Sequence, residues 1–504
     1  MKQNSKLLLI LIFIAFLVRV FVIWIGRPEF VGWFNHTYYY YVQTKGLLEN
    51  GALPFPDMPL LFYIYAFTAK VLSWFGVENH VAIVSATRFW MCLIPSLLPI
   101  PVYATIKSIF KEQTLPNWMW VFVFASAFYP LSILYMPEFL QKNALGLLLL
   151  AIIMQQSKSA LDNLNVKRFF IIFLVFILMV LSHFGSTATA LLYTASLMLS
   201  LLIHTRKRLS LKLVFSLFIG LGIALLAFYL LDIQRFERVG FYINRIFDSS
   251  SLGMVFSAND PDKFASLFIL IFPLGVIAIF YYWYRNTKTK PDEENSIFWI
   301  SNILFCYLLV FPIYELLLMA RFANYICLPI IFVLLFMVQY NISKPWIKKS
   351  VIGLVLFGTI LIAVGDISNL TRNRESNDET YLDLMKMKSA VGFNNNDLII
   401  TRNGAEHISN WFLGTKSCLI TSFNNNDLQK YERVFILNPT EESMSLPGNS
   451  NEATQRYNYM LSDIVIPSDA NQTYKSEYIN LYQIQNLPKE WKFDDKGNWF
   501  GYEK

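Results

Sequence analysis

Apolar segments long enough to cross a lipid bilayer dominate the first 366 residues of this 504-residue chain. About eleven such segments can be marked, each close to the length that a membrane-crossing helix requires. Hydrophobic residues make up 55% of the chain and charged residues only 15%. A soluble protein of this length needs a much smaller share of apolar residues to build its core. The sequence therefore predicts an α-helical, multi-pass membrane protein, with the lipid bilayer as its first partner.

Lysine and arginine clusters occupy alternate connections between these segments. Because such clusters mark the cytoplasmic side, we expect an inner (cytoplasmic) membrane protein with a cytoplasmic N-terminus. No small-residue cleavage site follows the first segment, so it should remain as an anchor. The formal net charge of +7 arises largely beside lipid headgroups, and no nucleic-acid partner is expected. The clusters are Lys2 with Lys6, and residues 107–111, 158–168, 206–208, 285–290 and 344–349.

The predicted spans alternate in direction along the chain. The first leaves the cytoplasm and leads into a long outer loop at residues 26–86. Since the number of spans is odd, everything after the last one should lie outside the cytoplasm. The spans are residues 7–25, 87–110, 118–136, 144–155, 169–182, 187–204, 211–231, 264–284, 297–314, 322–340 and 351–364.

The composition changes sharply after Asp366, to Asn, Asp, Ser, Lys and Arg with short β-rich runs. A helix at residues 404–413 lies between the first two of these runs, which is typical of a small α/β unit. We therefore predict a transmembrane domain at residues 1–366 and an extracytoplasmic α/β domain at residues 367–504. The predicted strands are residues 397–401, 418–421, 433–437, 463–466 and 478–484.

The outer loop after the first span contains two polar candidates beside a row of aromatic residues. Residues 33–41 read Trp-Phe-Asn-His-Thr-Tyr-Tyr-Tyr-Tyr, which includes Asn35 and His36, and residues 54–60 place Asp57 between prolines. Aromatic residues at helical spacing, followed by a proline-flanked turn, predict a helix lying on the membrane surface. The alternative is an ordinary aromatic belt at the membrane interface.

Two further outer connections carry isolated ionisable side chains. Glu138 follows Met136 and Pro137, where it is a candidate acid, base or metal ligand, or simply a cap for the following helix. His183 lies in the run Ser-His-Phe-Gly-Ser-Thr at residues 182–187. This imidazole would hydrogen-bond a sugar or phosphate, or bind a metal together with carboxylates. The alternative is a histidine that is satisfied within a helix turn.

Arg321 is the strongest single candidate in the sequence. It opens an apolar span, six residues after Glu315 and four before Tyr325. A guanidinium at the outer end of a span offers a planar fork of donors to phosphate oxygens, although it would also reach lipid headgroups by snorkelling. Arg235, Arg238 and Arg245 form a second basic patch, which favours headgroup or acceptor contact. Arg19 lies inside the first span and requires a buried partner or snorkelling.

The plan of the chain resembles the GT-C membrane glycosyltransferases, and the oligosaccharyltransferase branch is the most similar in plan. The resemblance rests on the long first outer loop with its tyrosines and Pro-flanked Asp57, the ten or so following spans, the Arg–Phe–x–x–Tyr–x–x–x–Pro opening at Arg321 and the outer C-terminal domain. It implies transfer of a sugar or oligosaccharide from a polyprenyl-(pyro)phosphate donor to an acceptor on the extracytoplasmic face. The acceptor would be a protein, a lipid or a polysaccharide.

The resemblance also implies two acidic positions. In that family an Asp in the first outer loop holds a metal or acts as a base, and here Asn35 stands in its place with His36 beside it. A neutral amide cannot accept a proton at neutral pH, so Glu29 or Asp57 would take over, and Glu138 matches the second acidic position. We therefore predict catalytic roles for Glu138, Asp57 and Glu29. Substrate contacts are predicted at Arg321, Glu315, His183, His36, Asn35 and Tyr325, with a divalent cation (Mg or Mn) held by Glu138 and His183.

Two other classes of function compete with this interpretation. A flippase or transporter of a lipid-linked precursor would show internal repeats and helices broken near mid-membrane. We find no convincing repeat, and the ionisable residues gather at one face. A catalytically silent GT-C-like scaffold stays possible because a fold does not determine a function, and Asn35 in place of the acid favours it.

Overall fold

The computed structural model describes most of the chain. The described residues are 2–25, 37–55, 57–111, 115–128, 141–163, 165–204, 222, 226, 229, 275, 278, 281, 282, 285, 291–309, 322, 324–342, 344–372, 378–401, 405–419, 430–440, 442, 443, 466, 470–484, 492, 493 and 499–501. They belong to two compact units. The first unit is Met1–Val20, Pro56–Ile64 and Phe89–Asp366, and the second is Phe21–Phe55, Tyr65–Arg88 and Ile367–Lys504.

Helices make up nearly all of the described chain before residue 392. In order they are α1 (Lys2–Val20), α2 (Thr37–Asn50), α3 (Leu60–Trp74), α4 (Asn79–Ser96), α5 (Pro99–Phe110), α6 (Trp120–Phe128), α7 (Gln141–Asp162), α8 (Val166–Ser182), α9 (Phe184–His204), α10 (Glu293–Leu309), α11 (Cys327–Phe336), α12 (Pro345–Arg372) and α13 (Asp378–Val391). Helix α1 ends in a π turn at Phe21–Ile25, and α11 in another at Met337–Asn341.

Among the described residues, five helical segments are long and apolar enough to cross a membrane. They are Asn4–Ile23, Asn79–Phe110, Gln141–Asp162, Gly185–Ile203 and Pro345–Gly365. The second of these begins eight residues before the predicted span at 87–110, because the chain is already helical from Asn79. The predicted spans at 211–231 and 264–284 lie outside the described residues, apart from single positions. The total number of spans and their orientation stay predictions.

Residues that the sequence assigns to the cytoplasmic ends of different spans meet in the first unit. Lys111, after α5, donates to Asp292, before α10, at 2.8 Å, and this bond raises the pKa of Lys111. Ser108 donates to Asp162 at 2.7 Å, and Asp162 also pairs with the buried Lys158 of α7. This network, which we call the inner-end network, ties the ends of α5 and α7 to the start of α10.

Arg19 has the buried partners that its position in the first span requires. Its guanidinium is fully buried and donates to Ser96 Oγ at 3.1 Å and to the carbonyl of Ala127 at 2.6 Å. A third bond runs to the carbonyl of Ala15, one turn earlier in α1, at 3.0 Å. A buried charge is costly unless it is hydrogen-bonded. Arg19 therefore joins α1 to α4 and to the end of α6 rather than reaching for headgroups.

The second unit contains the predicted α/β fold. Its described sheet has the strand order β2 (Lys416–Leu419), β1 (Asp397–Thr401), β3 (Arg433–Pro439), β5 (Ile479–Gln483), β4 (Asn471–Lys475). The first three strands are parallel. Strand β5 pairs antiparallel with β3, and β4 pairs antiparallel with β5. Helix α14 (Ala405–Ile408), with a π turn at Ser409–Leu413, connects β1 to β2 as predicted. The strand predicted at 463–466 lies outside the described residues except for Ile466, and a short pair, β6 (Lys492–Phe493) and β7 (Trp499–Gly501), follows.

A bidentate ion pair joins the first residues of the neighbouring strands β1 and β3. Arg433 donates through Nε and Nη2 to the two carboxylate oxygens of Asp397, at 2.9 and 2.6 Å. These hydrogen bonds raise the pKa of Arg433. The same guanidinium reaches the carbonyl of Gly392 at 2.9 Å, so it also holds the end of α13 against the sheet.

The tyrosine-rich helix predicted in the first outer loop exists as α2, but its environment was predicted wrongly. Tyr38 and Tyr41 are buried within the second unit rather than lying on a membrane surface. Tyr38 packs edge-on against Phe412, with ring centroids 5.2 Å apart, and Tyr41 lies 5.1 Å from Trp411. The aromatic residues of α14 and its π turn thus provide a protein surface for these rings. Neither a surface helix nor an aromatic belt describes them.

Candidate functional site

The first turn of α7 carries a lysine that pairs with a predicted catalytic residue. Lys142 donates to Asp57 Oδ2, while Asp57 Oδ1 accepts the Met58 N–H at 2.7 Å. Both side chains are mostly buried, with 13% of Lys142 and 18% of Asp57 exposed. The Lys142 ammonium also lies 5.8 Å from the centroid of the Phe62 ring. A cation in the first turn of a helix is repelled by the positive end of the helix dipole. The negative charge of the Asp57 carboxylate offsets this repulsion.

One turn further along α7, the helix makes an unusually close contact with α9. Gly146 follows Lys142 by four residues and so lies on the same face of the helix. A Cβ on Gly146 would come within 1.9 Å of Ser186 Oγ and 3.1 Å of the Tyr325 hydroxyl. Ser186 Oγ and the buried Tyr325 hydroxyl are hydrogen-bonded at 2.8 Å. The ion pair and this hydroxyl pair therefore occupy successive turns of one face.

His183 is tied to the same group through Ser186. It lies between α8 and α9 with an extended backbone, and its Nδ1 accepts the Ser186 N–H at 3.4 Å. The imidazole thus caps the start of α9, as the alternative interpretation of this residue expected. Gly185 leaves room for the ring, since a Cβ there would approach the imidazole to 2.8 Å. With Nδ1 accepting, the neutral ring carries its proton on Nε2 and acts there as a donor.

The structure therefore brings together His183 and Tyr325, which are 142 positions apart in the sequence. It places Asp57, through Lys142, one turn of α7 away. The other predicted site residues, Glu29, Asn35, His36, Glu138, Glu315 and Arg321, lie outside the described residues. We call Asp57, Lys142, Gly146, His183, Ser186 and Tyr325 the α7 site.

Three members of the α7 site were not predicted as site residues. Lys142 is visible in the sequence as an ionisable residue on the predicted outer side, but its pairing with Asp57 depends on the tertiary fold. Ser186 lies within the polar run around His183, which only weakly indicates a functional role. Nothing in the sequence indicates a role for Gly146, because glycine has no side chain and its close contact with α9 is visible only in the folded structure.

The predicted divalent cation stays a prediction. No three His, Cys, Asp or Glu side chains form a potential metal site within the part of the chain that the structure describes. His183 would have to move its proton to Nδ1 to offer Nε2 to a metal, and the cap on α9 would then be lost. Asp57 is already engaged by Lys142. The described groups thus fit hydrogen bonding better than metal ligation, and the metal hypothesis rests on Glu138.

We expect Gly146→Ala to disrupt the α7 site. The new methyl group would overlap Ser186, so α7 and α9 must separate, at a cost of about 1–3 kcal/mol in the free energy of unfolding. Thermal unfolding in detergent measures this loss. The matched control is Gly358→Ala in α12, where a Cβ meets nothing within 4 Å. The double variant Gly146→Ala/Ser186→Gly should recover part of the lost stability. Equal stability of Gly146→Ala and Gly358→Ala would contradict the close contact between α7 and α9.

Comparison with known proteins is informative at the level of the fold. No family model matches this chain, and no curated protein matches it. Among solved structures, the chain is similar to the crystal structure of ArnT from Cupriavidus metallidurans bound to undecaprenyl phosphate. The TM-score is 0.53 and the sequence identity 8%, and the alignment covers 96% of this chain and 99% of that one.

This similarity confirms the predicted fold. The chain has the GT-C fold, mostly helical with several apolar helices and a small C-terminal sheet. The five membrane-length apolar helices among the described residues support a location in the membrane. At 8% identity the likeness concerns the fold alone. The sides on which the termini lie stay predictions.

Proposed function

We propose that this chain is a membrane glycosyltransferase that moves a sugar or oligosaccharide from a polyprenyl-(pyro)phosphate donor to an acceptor on the extracytoplasmic face. The observation that carries the proposal is the fold likeness, over nearly the whole of both chains, to ArnT with undecaprenyl phosphate bound. The α7 site supports it, because the cationic and hydroxyl donors Lys142, Ser186 and Tyr325 come together there from three separate parts of the sequence.

The proposed reaction breaks the bond between the anomeric carbon of the sugar and the phosphate oxygen of the donor. The acceptor oxygen forms the new bond to that carbon, and its proton passes to a carboxylate among Asp57, Glu138 and Glu29. The polyprenyl phosphate or pyrophosphate leaves with the electron pair. Its negative charge has to be stabilised at that moment, which is the main task of such a site.

Lys142 and Arg321 are the cations proposed for the departing phosphate. Lys142 adds its charge to the N-terminal end of α7, where backbone N–H groups also favour anions. The Asp57 carboxylate holds this ammonium in place and offsets its repulsion by the positive end of the α7 dipole. His183 and Tyr325 would orient sugar or phosphate oxygens, and a cation at Glu138 would add to the stabilisation. The apolar helices would supply the groove for the lipid tail.

The choice of acceptor is proposed to involve the second unit. This unit contains the α/β sheet together with α2 of the first outer loop, and their aromatic residues form one core. A substrate-dependent movement of the loop would therefore involve the α/β domain as well. The acceptor's class, whether protein, lipid or polysaccharide, is left open by these residues.

Substitution of Glu138 separates an enzyme from a silent scaffold. Glu138→Gln keeps the shape of the side chain and removes its charge and basicity, so sugar transfer from a polyprenyl-linked donor should fall by about 10²–10⁴-fold. Transfer is measured in membranes that lack the wild-type chain. The control is Glu294→Gln in the first turn of α10, which should transfer at the wild-type rate. Equal rates of transfer by Glu138→Gln and Glu294→Gln would show that Glu138 has no catalytic role. If even the wild-type chain transferred no sugar, the catalytically silent scaffold would be favoured.

A further inference from the structure

One face of the second unit exposes large aromatic side chains. It is formed by the second half of α3 and the turn into α4. Phe67, Trp74 and Phe75 are 70%, 72% and 82% exposed. The opposite side of the same segment is buried, with Ala69 in the core of the unit and Leu72 packed against it. The segment therefore has a buried side and an exposed side, and the exposed side is mainly aromatic. We call Phe67, Trp74 and Phe75 the aromatic face.

The geometry of the turn keeps this face together. Phe67 and Trp74 are seven residues apart and lie on the same side of α3. Phe75 follows directly, and Gly76 then adopts a positive φ of 85°. That conformation reverses the chain at a point where a side chain would be strained. Phe75 is thus held at the tip of the α3–α4 turn, beside Trp74.

Exposed aromatic clusters of this kind mark interaction surfaces in a folded chain, and the neighbouring residues indicate a lipid surface. Lys70 is exposed and lies between Phe67 and Trp74 on the same side of the helix. Aromatic rings with a lysine that reaches outward are the composition of membrane-interface anchors. The chain also continues from the turn into Asn79–Phe110, a segment long enough to cross a bilayer. Phe75 of the aromatic face thus lies four positions before Asn79, where a candidate span begins.

We infer that the aromatic face inserts into the lipid–water interface of the membrane. Phe67, Trp74 and Phe75 lie at the boundary between the headgroups and the acyl chains, and Lys70 extends to the phosphate groups. The membrane-surface role that the sequence suggested for the tyrosines of α2 thereby belongs to α3. This inference is independent of the proposed glycosyl transfer.

Photo-crosslinking of the full-length protein in its native membrane tests the inference. The crosslinker p-benzoylphenylalanine replaces Phe67 or Phe75, one at a time, and replaces the exposed Gln472 of β4 as the control. After irradiation, mass spectrometry distinguishes phospholipid adducts from crosslinks to a second copy or to another protein. Because all three positions are exposed, each variant should elute as the wild type does on size exclusion.

Phospholipid adducts at Phe67 and Phe75 should exceed those at Gln472 several-fold. Crosslinks mainly to a second copy would identify the aromatic face as a dimer interface and overturn the inference. Crosslinks mainly to another protein would overturn it in favour of a partner surface. Lipid adducts no more frequent than at Gln472 would show that the face is simply in water.

Discussion

Replacing Asp57 with asparagine is expected to lower sugar transfer by about 10²–10⁴-fold, the usual contribution of a catalytic carboxylate. The amide keeps the size of the side chain but loses the charge that Lys142 and the Met58 N–H engage. Lys142 is then left mostly buried without its anionic partner. Removing one member of a buried pair is costly, but solvent reaches part of this one, so we expect only about 1–2 kcal/mol of lost stability. The transfer assay and thermal unfolding measure the two effects separately.

The chain contains a matched control for this substitution in a second ion pair on α7, the helix that carries Lys142. Asp162 pairs with Lys158 in the inner-end network, about 24 Å further along α7. Asp162→Asn removes a similar ion pair and should leave transfer unchanged. The double variant Asp57→Asn/Lys142→Met should recover stability without recovering transfer. Equal transfer by Asp57→Asn and Asp162→Asn would reduce the Asp57–Lys142 pair to a structural contact.

Substitution of Arg321 is expected to have the second large effect on sugar transfer. Arg321→Ala should slow transfer by about thirty- to a thousand-fold, corresponding to about 2–4 kcal/mol of lost stabilisation of the departing phosphate. Arg321 lies outside the described residues, but Tyr325, four positions later, is buried and bonded to Ser186. Arg321 is therefore four positions in the sequence from a residue of the α7 site. Expression and membrane insertion should stay at wild-type levels.

The conservative variant identifies the chemistry. Arg321→Lys keeps the positive charge and loses the planar fork of donors, so it should recover only part of the rate. The control is Arg168→Ala in the first turn of α8, on the predicted cytoplasmic side, which should transfer normally. If Arg321→Ala transferred as fast as Arg168→Ala, Arg321 would be a headgroup anchor and would leave the proposed mechanism.

The fold was predictable from the sequence because each of its signals is local. Apolar length indicated the membrane helices, and alternation of short β-rich runs with one helix indicated the α/β domain. The predicted strand at 397–401 and the helix at 404–413 correspond closely to β1 (Asp397–Thr401) and to α14 with its π turn. Helix α2 was also predicted, from its spacing. Its burial was not, since it depends on Trp411 and Phe412, which lie more than 350 residues further along the chain.

The candidate site was predictable only in part, for the same physical reason. Residue type and position in an outer connection were enough to select His183, whereas Asp57 and Tyr325 were selected with the help of the resemblance to the GT-C enzymes. Pairing them required contacts across long separations in sequence, such as Asp57 with Lys142 and Ser186 with Tyr325. Gly146 shows the limit most clearly. It has no side chain to select, yet it is the position where α7 and α9 approach each other and bring the site together.

The most direct test of the central proposal follows the donor itself. Purified protein is reconstituted in vesicles whose extracytoplasmic leaflet contains a polyprenyl phosphate with a labelled sugar, and a membrane extract supplies the acceptors. Transfer predicts that the label leaves the lipid, that free polyprenyl phosphate appears in equal amount, and that Asp57→Asn slows both by about 10²–10⁴-fold. If the label stays on the lipid and only crosses between leaflets, the protein is a flippase and the glycosyltransferase proposal is wrong.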